Sequence, residues 1–511
     1  MENLKADNLI YKYGIERIIV SIIVNLIFGF AILVGLKSFE LPLFYAIIIS
    51  TILSITGFIL LTKRLPVELK GILKTKTIIC ILWGLVAFVS LIQTARLSVF
   101  MIEPAKPEYS LFPSIPWYVE HCCLTAYTEA ARLNNEGITN IYNPENYLQK
   151  VSKDANGFPI FRRVSSFKVD LYHYPPTFLL LPTTITKVVG QDFLNIRMLW
   201  FSISMLSLMI ALGLIIFRLE VEGRLRMLGM APLIWCSLPV LAGLQMSNVQ
   251  VLVISISIIA MLMFPIQKAT GGLLLAMGTV AKIFPGILIV YLLAQKKFKE
   301  FAWISGFAII LSLLAFVVVG PLPFKAFIEY ELPRLSSGEA FSGPLSRVFA
   351  VARNMAPFGI PLKLNLLGIE GMSMEIGRIF SSIYLVIVLA LAIWAGRQKP
   401  RTNIEAISIW ISLLCLGSLV SPFAPANYVL IPLVILISLN REVIPVNMAI
   451  FFWSLIALPF LISQQAPFII QALCSLPAQI LTLVIPGVIL YRAGLSTTNE
   501  KDSEMQIKPA V

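Results

Sequence analysis

Apolar runs of about 20 residues recur along the chain, each long enough to cross the hydrocarbon core of a bilayer as a helix. They lie near 18–38, 40–62, 77–101, 174–191, 195–217, 228–244, 248–267, 271–293, 300–321, 376–396, 404–421, 426–440, 443–462 and 467–491. Most are separated by short polar breaks. Two intervals, 102–173 and 322–375, are much longer. The pattern predicts an all-α integral membrane protein, a bundle of about 12–14 transmembrane helices whose first long loop carries interfacial helices.

That first interval has a pattern of its own. The stretch WYVEHCCLTAYTEAARLNN, 117–135, predicts one amphipathic helix. Tyr118, Cys122, Ala126 and Ala130 recur at helical spacing, with Glu129 and Arg132 off that stripe. Gly137 is a natural stop. Asn143-Pro144 and Asn156-Gly157 read as turns. The interval closes on Tyr172-His173-Tyr174-Pro175-Pro176, where proline can open a helix because the first turn needs no proline N–H.

Composition agrees with the pattern: 58% of residues are hydrophobic and 13% charged, and the mean hydropathy is +0.86. The net charge of +13 does not point to nucleic acid, because the cations sit in short loops between apolar runs. Lys63, Arg64, Lys70, Lys74 and Lys76 form one cluster, Lys296, Lys297 and Lys299 a second, and Arg397, Lys399 and Arg401 a third. Such clusters mark the cytoplasmic face. With Lys5, Lys12 and Arg17 they place the N-terminus inside, the intervals 102–173 and 322–375 outside, and the tail with Arg492, Lys501 and Lys508 inside. Arg218, Arg224 and Arg226 conflict with this count: their charge says inside and the number of spans says outside. Either 174–191 is re-entrant or the rule fails there.

The first apolar run lacks a small-residue cleavage site, so no removed signal peptide is expected. Cys80, Cys236, Cys415 and Cys474 lie in apolar runs, and Cys122 and Cys123 are adjacent and could bridge only with strain. No disulfide framework or zinc-finger spacing follows. No repeat of fixed period is seen, which weakens a transporter built from repeated halves.

Candidate chemistry concentrates at few positions. Lys282 lies in the otherwise uncharged run GGLLLAMGTVAKIFPGILIVYLL, where an unpaired charge costs roughly 3 kcal/mol. It either holds an anion such as a lipid phosphate or snorkels to the interface. Of the acids in the first interval, Glu103, Glu108, Glu120, Glu129, Glu136, Glu145, Asp154 and Asp170, most read as solvated charges. Glu120, next to His121 and among aromatics, and Asp170, close in sequence to His173, are candidate general bases; Glu129 is a third, grouped by helix phase with Arg132. His121 and His173 are the only histidines, and both fall in this interval. With neighbouring acids they could hold a metal, but the spacing is not diagnostic and no metal or cofactor is expected. In the second interval Lys325, Arg334, Arg347, Arg353 and Lys363 suit either phosphate or lipid headgroups. Asn248 and Gln250 suit sugar hydroxyls or helix–helix contacts.

Four segments together resemble glycosyltransferases of the GT-C superfamily, and within it family 87, whose members use polyprenol-phosphate mannose. AYTEAARLNNEGITNIYNP (126–144) resembles the family's Tyr-x-x-Ala-Ala stretch; YHYPPTFLLLP (172–182) its Tyr-Pro-Pro turn; AKIFPGILIVYLLAQKKFKEF (281–301) its Lys-x-x-Pro span; and SPFAPANYVLIPLVIL (421–436) its Ser-Pro span. The family usually carries an Asp near Cys123; none stands here, so Glu120 substitutes or the base lies elsewhere. Asn248 and Gln250 invert the family's Gln-x-Asn, and Asn427 replaces its His before Tyr428.

The resemblance implies the following. Residues 1–76 are a cytoplasmic segment and two extra spans, 77–495 a GT-C-like catalytic domain, and 496–511 a disordered cytoplasmic tail. A polyprenyl-phosphate sugar, with mannose as the hexose, is transferred with inversion to a lipid or glycan acceptor at the extracytoplasmic face of a bacterial inner membrane. Glu120, Asp170 or Glu129 serves as base. Lys282, Arg334 and Arg347 bind the donor phosphate. His121, Tyr127, His173, Tyr174, Asn248, Gln250, Asn427 and Tyr428 bind substrate. A transporter or flippase, or a surface-polysaccharide polymerase or ligase, is the alternative.

Overall fold

The computed structural model describes residues 15–64, 77–153, 159–220, 227, 230–441 and 443–506. The expectations for Lys5, Lys12, Lys70, Lys74, Lys76, Asp154, the Asn156-Gly157 turn, Arg224, Arg226 and Lys508, and for the side chains of Arg64, Cys80 and Lys501, fall outside the described set.

The protein is an all-α multi-pass membrane protein. Seven described helices are long and apolar enough to cross a bilayer: Arg17–Lys37, Leu43–Lys63, Trp83–Ile102, Phe193–Arg218, Phe298–Val319, Met374–Arg397 and Phe468–Ala493. Leu43–Lys63 and Phe298–Val319 are the least covered by protein. Phe44, Ile309 and Val317 lie exposed on them, a surface suited to lipid rather than water.

By length alone the spans are fewer than the 12–14 expected. Leu238–Gln245 and Val249–Met263 can make an eighth, while Pro176–Val189, Asn403–Ser418, Ala426–Leu439 and Asn447–Leu461 are apolar but short. The run expected at 271–293 is two helices, Lys268–Ala281 and Gly286–Ala294. The run expected at 174–191 is a 3-10 turn, Pro176–Leu179, followed by Leu180–Val189. Hydropathy counts apolar residues; it does not register that proline removes a donor and ends the ladder.

The chain divides into two compact units, residues 1–125, 162–170 and 183–249 in the first, and 126–161, 171–182 and 250–511 in the second. In the first, Ile15–Lys37 packs against Leu43–Arg64, Thr77–Ile102 and Phe193–Arg218. Ser202 Oγ donates to the Ala31 carbonyl at 2.7 Å. Arg197 is fully buried; it donates to the Phe100 carbonyl at 2.9 Å and lies against both the Phe100 and Phe167 rings. In the second unit, Lys268–Ala281 packs on Phe298–Val319 and Gly286–Ala294 on Met374–Arg397. Gly272 permits the first contact: a Cβ there would stand 2.6 Å from Trp303 Cβ.

One further expectation is corrected. The helix expected over 117–135 is two, Pro116–Glu120 and Leu124–Asn135. Between them His121 is extended and bridges Lys168, and Cys123 N–H donates to the Met246 carbonyl at 2.9 Å. Tertiary partners for the backbone outweigh helical continuity there. The last helix runs over Phe468–Gln506. The stop at Gly137 agrees with expectation: φ is +75°, and Ile138 N–H donates to the Leu133 carbonyl at 3.1 Å. Two small antiparallel hairpins, Leu148–Lys153 with Pro159–Phe161 and Arg163–Val164 with Phe167–Lys168, complete the first interval.

Candidate active site

Lys282 does not sit inside a helix. The Lys268–Ala281 helix stops at it, its backbone turns extended (φ −152°, ψ 122°), and a new helix begins at Gly286. The break frees carbonyls of the last turn. Thr177 Oγ1 donates to one of them, that of Val280, at 2.7 Å. The Lys282 amine lies 5.7 Å from the Tyr174 ring centroid and 6.0 Å from that of Tyr428, both within reach of a cation–π attraction.

The Tyr172–Pro176 segment that carries Tyr174 is pinned from several sides. Tyr127 OH meets Tyr174 OH at 3.1 Å, Tyr142 OH donates to the Tyr174 carbonyl at 3.0 Å, and Tyr172 OH donates to the Pro175 carbonyl at 3.0 Å. Burial pushes the Tyr142 and Tyr172 phenols up, so both remain neutral donors. His173 turns to the second polar interval: its Nδ1 lies 2.6 Å from Glu331 Oε1. Glu331 is fully buried, ends a π-helical turn over Phe327–Glu331, and takes Arg334 Nη1 on its other oxygen at 3.3 Å. Arg334 also reaches Glu339 at 3.1 Å and lies over the Tyr330 ring. Lys282, Tyr127, His173, Tyr174, Arg334 and Tyr428 all belong to the second unit.

The first unit holds a different cluster. His121 stacks on Trp117 with ring centroids 4.5 Å apart. Its Nδ1 is 3.2 Å from Asp170 Oδ1 and its Nε2 is 3.5 Å from Cys123 Sγ. Asn248 Nδ2 donates to the same sulfur at 3.2 Å. Asp170 is fixed by its own N–H, which donates to Thr125 Oγ1 at 3.1 Å. Burial disfavours a charge on His121, but Asp170 and Cys123 more than offset it and hold the imidazole well above its ordinary value. Glu120 is bound differently, by Arg163 at 2.7 Å and Lys168 at 2.6 Å. Partial burial works to raise its pKa, and the hydrogen bonds from these two cations reverse the sign and hold it below the usual carboxylate value.

The remaining expected residues are less engaged with either cluster. Glu129, in the second unit, is buried and gripped by both Arg132 Nε (2.9 Å) and Arg132 Nη2 (2.7 Å), as its helix phase suggested. Arg347 is exposed ahead of the Val348–Arg353 helix. Gln250 and Asn427 are buried. Sequence reasoning missed Glu331, which no local pattern separates from Glu329, and it set Cys123 aside as the place of an absent Asp.

Residues 172–422 match the family model of glycosyltransferase family 87. Over that region, just under half of the chain, the sequence is similar to glycosyltransferase family 87. No curated protein and no solved structure matches it. The match begins one residue before His173 and takes in Tyr174, Lys282, Glu331, Arg334 and Arg347. This match and the apolar spanning helices support a membrane glycosyltransferase, an enzyme class that works between a sugar donor and an acceptor. Glu120, His121, Cys123, Asp170 and Glu129 precede the matched region, and Asn427 and Tyr428 follow it.

Proposed function

We propose that the protein transfers a hexose, mannose, from a polyprenyl-phosphate donor to a lipid or glycan acceptor at the extracytoplasmic face, with inversion. The observation that carries this reading is Lys282: a cation at a helix break among apolar residues, flanked by Tyr174 and Tyr428, within a glycosyltransferase sequence. A phosphate ester of a lipid is an anion with an apolar tail. It matches a lysine held among apolar helices better than a nucleotide sugar does, and the described chain has no Gly-rich phosphate loop. Lys282 stabilises the charge that grows on the leaving phosphate. His173, fixed by Glu331, and Arg334 are second donors to the same group. The acceptor hydroxyl is activated by Asp170, which meets one imidazole, that of His121; Glu120, held by both Arg163 and Lys168, and Glu129, gripped twice by Arg132, are weaker candidates.

The test is transfer from labelled polyprenyl-phosphate mannose by purified protein. Lys282→Met should lower the rate by at least about 10²-fold, the loss seen when a charge-stabilising donor is removed. Asp170→Asn should cost on the order of 10²-fold, and Glu120→Gln far less. Full transfer by Lys282→Met would sink the phosphate assignment. A flippase would move the lipid-linked sugar without forming product. A polysaccharide polymerase or ligase would use a lipid-linked oligosaccharide and ignore the single-sugar donor.

A further inference from the structure

We infer that Cys123 and His121, backed by Asp170, form a binding site for one zinc-class transition-metal ion. The three side chains offer a sulfur, a ring nitrogen and a carboxylate oxygen, all within 4.8 Å of one another. None of these pairings follows from the sequence, where His173 was the expected companion of His121. The fold instead sends His173 to Glu331 and brings Cys123 and Asp170 to His121.

The distances favour a particular arrangement. Cys123 Sγ and His121 Nε2 stand 3.5 Å apart. Two ligand atoms at roughly 2.3 Å and 2.0–2.1 Å from a tetrahedral zinc ion have about that separation. An ion bound between these two atoms would replace their present direct contact. Asp170 lies on the opposite ring nitrogen, Nδ1, at 3.2 Å. A carboxylate in that position fixes the tautomer and ring direction of a metal-bound histidine. Trp117, stacked flat on the ring, limits its rotation further. Asn248 borders the sulfur, and its amide can turn either end toward the ion. Cys123 is 7% exposed, so the thiolate is shielded while the half-buried Asp170 and His121 leave a side open to solvent or to an acceptor hydroxyl. Thiolate and imidazole select zinc, cobalt or copper over magnesium and calcium, which require oxygen ligands.

Binding stands independently of the proposed reaction. What the ion would do there, lowering the proton affinity of a bound acceptor hydroxyl, rests on the functional reading given above.

The experiment uses the full chain in detergent, stripped of metal and titrated with cobalt(II), with zinc content measured separately by elemental analysis. One equivalent of cobalt per chain, a thiolate-to-cobalt charge-transfer band, and displacement by zinc are expected. Cys123→Ser should abolish the band, and His121→Ala should abolish tight binding. Asp170→Asn should keep the band but weaken affinity by about 10–100-fold, as loss of an outer carboxylate does. Cys122→Ser and Cys415→Ser should leave the band intact. A zinc-induced rise in melting temperature, present in the parent and absent in Cys123→Ser, guards against misfolding as the cause. Absence of the band in the parent, or its persistence in Cys123→Ser, overturns the inference. Metal binding without any sugar transfer would leave the site standing and remove only the functional reading.

Discussion

Single residues show how burial chooses partners. Glu331 is fully buried and answers two groups at once, His173 and Arg334. Removing one member of a buried charged set strands the others, at about 3 kcal/mol. Glu331→Ala should therefore lower the melting temperature and the transfer rate together, whereas Glu331→Gln, which still accepts from His173, should recover most of the stability. Lys363 is the reverse case. It is buried, donates to Gln479 Oε1 at 2.8 Å, and has no described carboxylate at hand, so burial pushes its amine down to about 7. The unfolded chain keeps the proton that the folded site rejects. The cost is complete below pH 7 and fades toward the ordinary lysine value of 10.5. Melting curves across that window should show Lys363→Met more stable than the parent at pH 7, with the gap closing as pH rises. A gap independent of pH would contradict a neutral Lys363. The sequence marked Lys282 as exceptional because its neighbours are apolar; it gave no such mark to Glu331 or Lys363, whose burial comes from remote helices.

At the scale of elements, helix breaks matter more than helices. Leu180–Val189 has 10 residues, about 15 Å of helix, half of what a crossing needs. Lys268–Ala281 and Gly286–Ala294, with 14 and 9 residues, also fall short one by one. If neither segment crosses, and the bent pair Leu238–Gln245 and Val249–Met263 enters and leaves on one side, the sidedness conflict disappears. Arg218 then falls on the same face as Lys296, Lys297 and Lys299 and as Arg397, while 102–173 and 322–375 remain together on the other. Cysteines placed singly at 218 and 296 in a cysteine-free background should react with an impermeant maleimide only after the membrane is opened, and one at 346 should react directly. Labelling of 218 and 346 from the same side would refute this topology. Close packing is equally local. Gly272→Val drives a side chain into Trp303 and the backbone of Ile304, so the Lys268–Ala281 and Phe298–Val319 helices must part. A loss of about 1–3 kcal/mol is expected, measurable as a drop in melting temperature. The periodicity at 117–135 predicted amphipathic surface correctly, since Tyr118, Cys122, Ala126 and Ala130 are all buried. It could not foresee the break at His121, which depends on Lys168 and Met246 arriving from elsewhere in the chain.

For the whole molecule, membrane class and a family resemblance were legible without coordinates. Hydropathy decided the first, because a bilayer imposes one length and one polarity on every crossing segment. The order of four short motifs suggested the second, and the match over 172–422 agrees with it. Each compact unit proves to hold a polar cluster of its own: His121, Cys123 and Asp170 in the first; Tyr174, Lys282, His173, Glu331 and Arg334 in the second. Composition and periodicity are sums over neighbours in the chain, and they determined what kind of solvent this protein lives in, where its polar intervals lie and which lysine is out of place. Pairing is a different quantity. That His173 answers Glu331 across 158 positions, or that Asp170 answers His121 rather than His173, depends on which backbone segments pack together, and only the tertiary structure decides that.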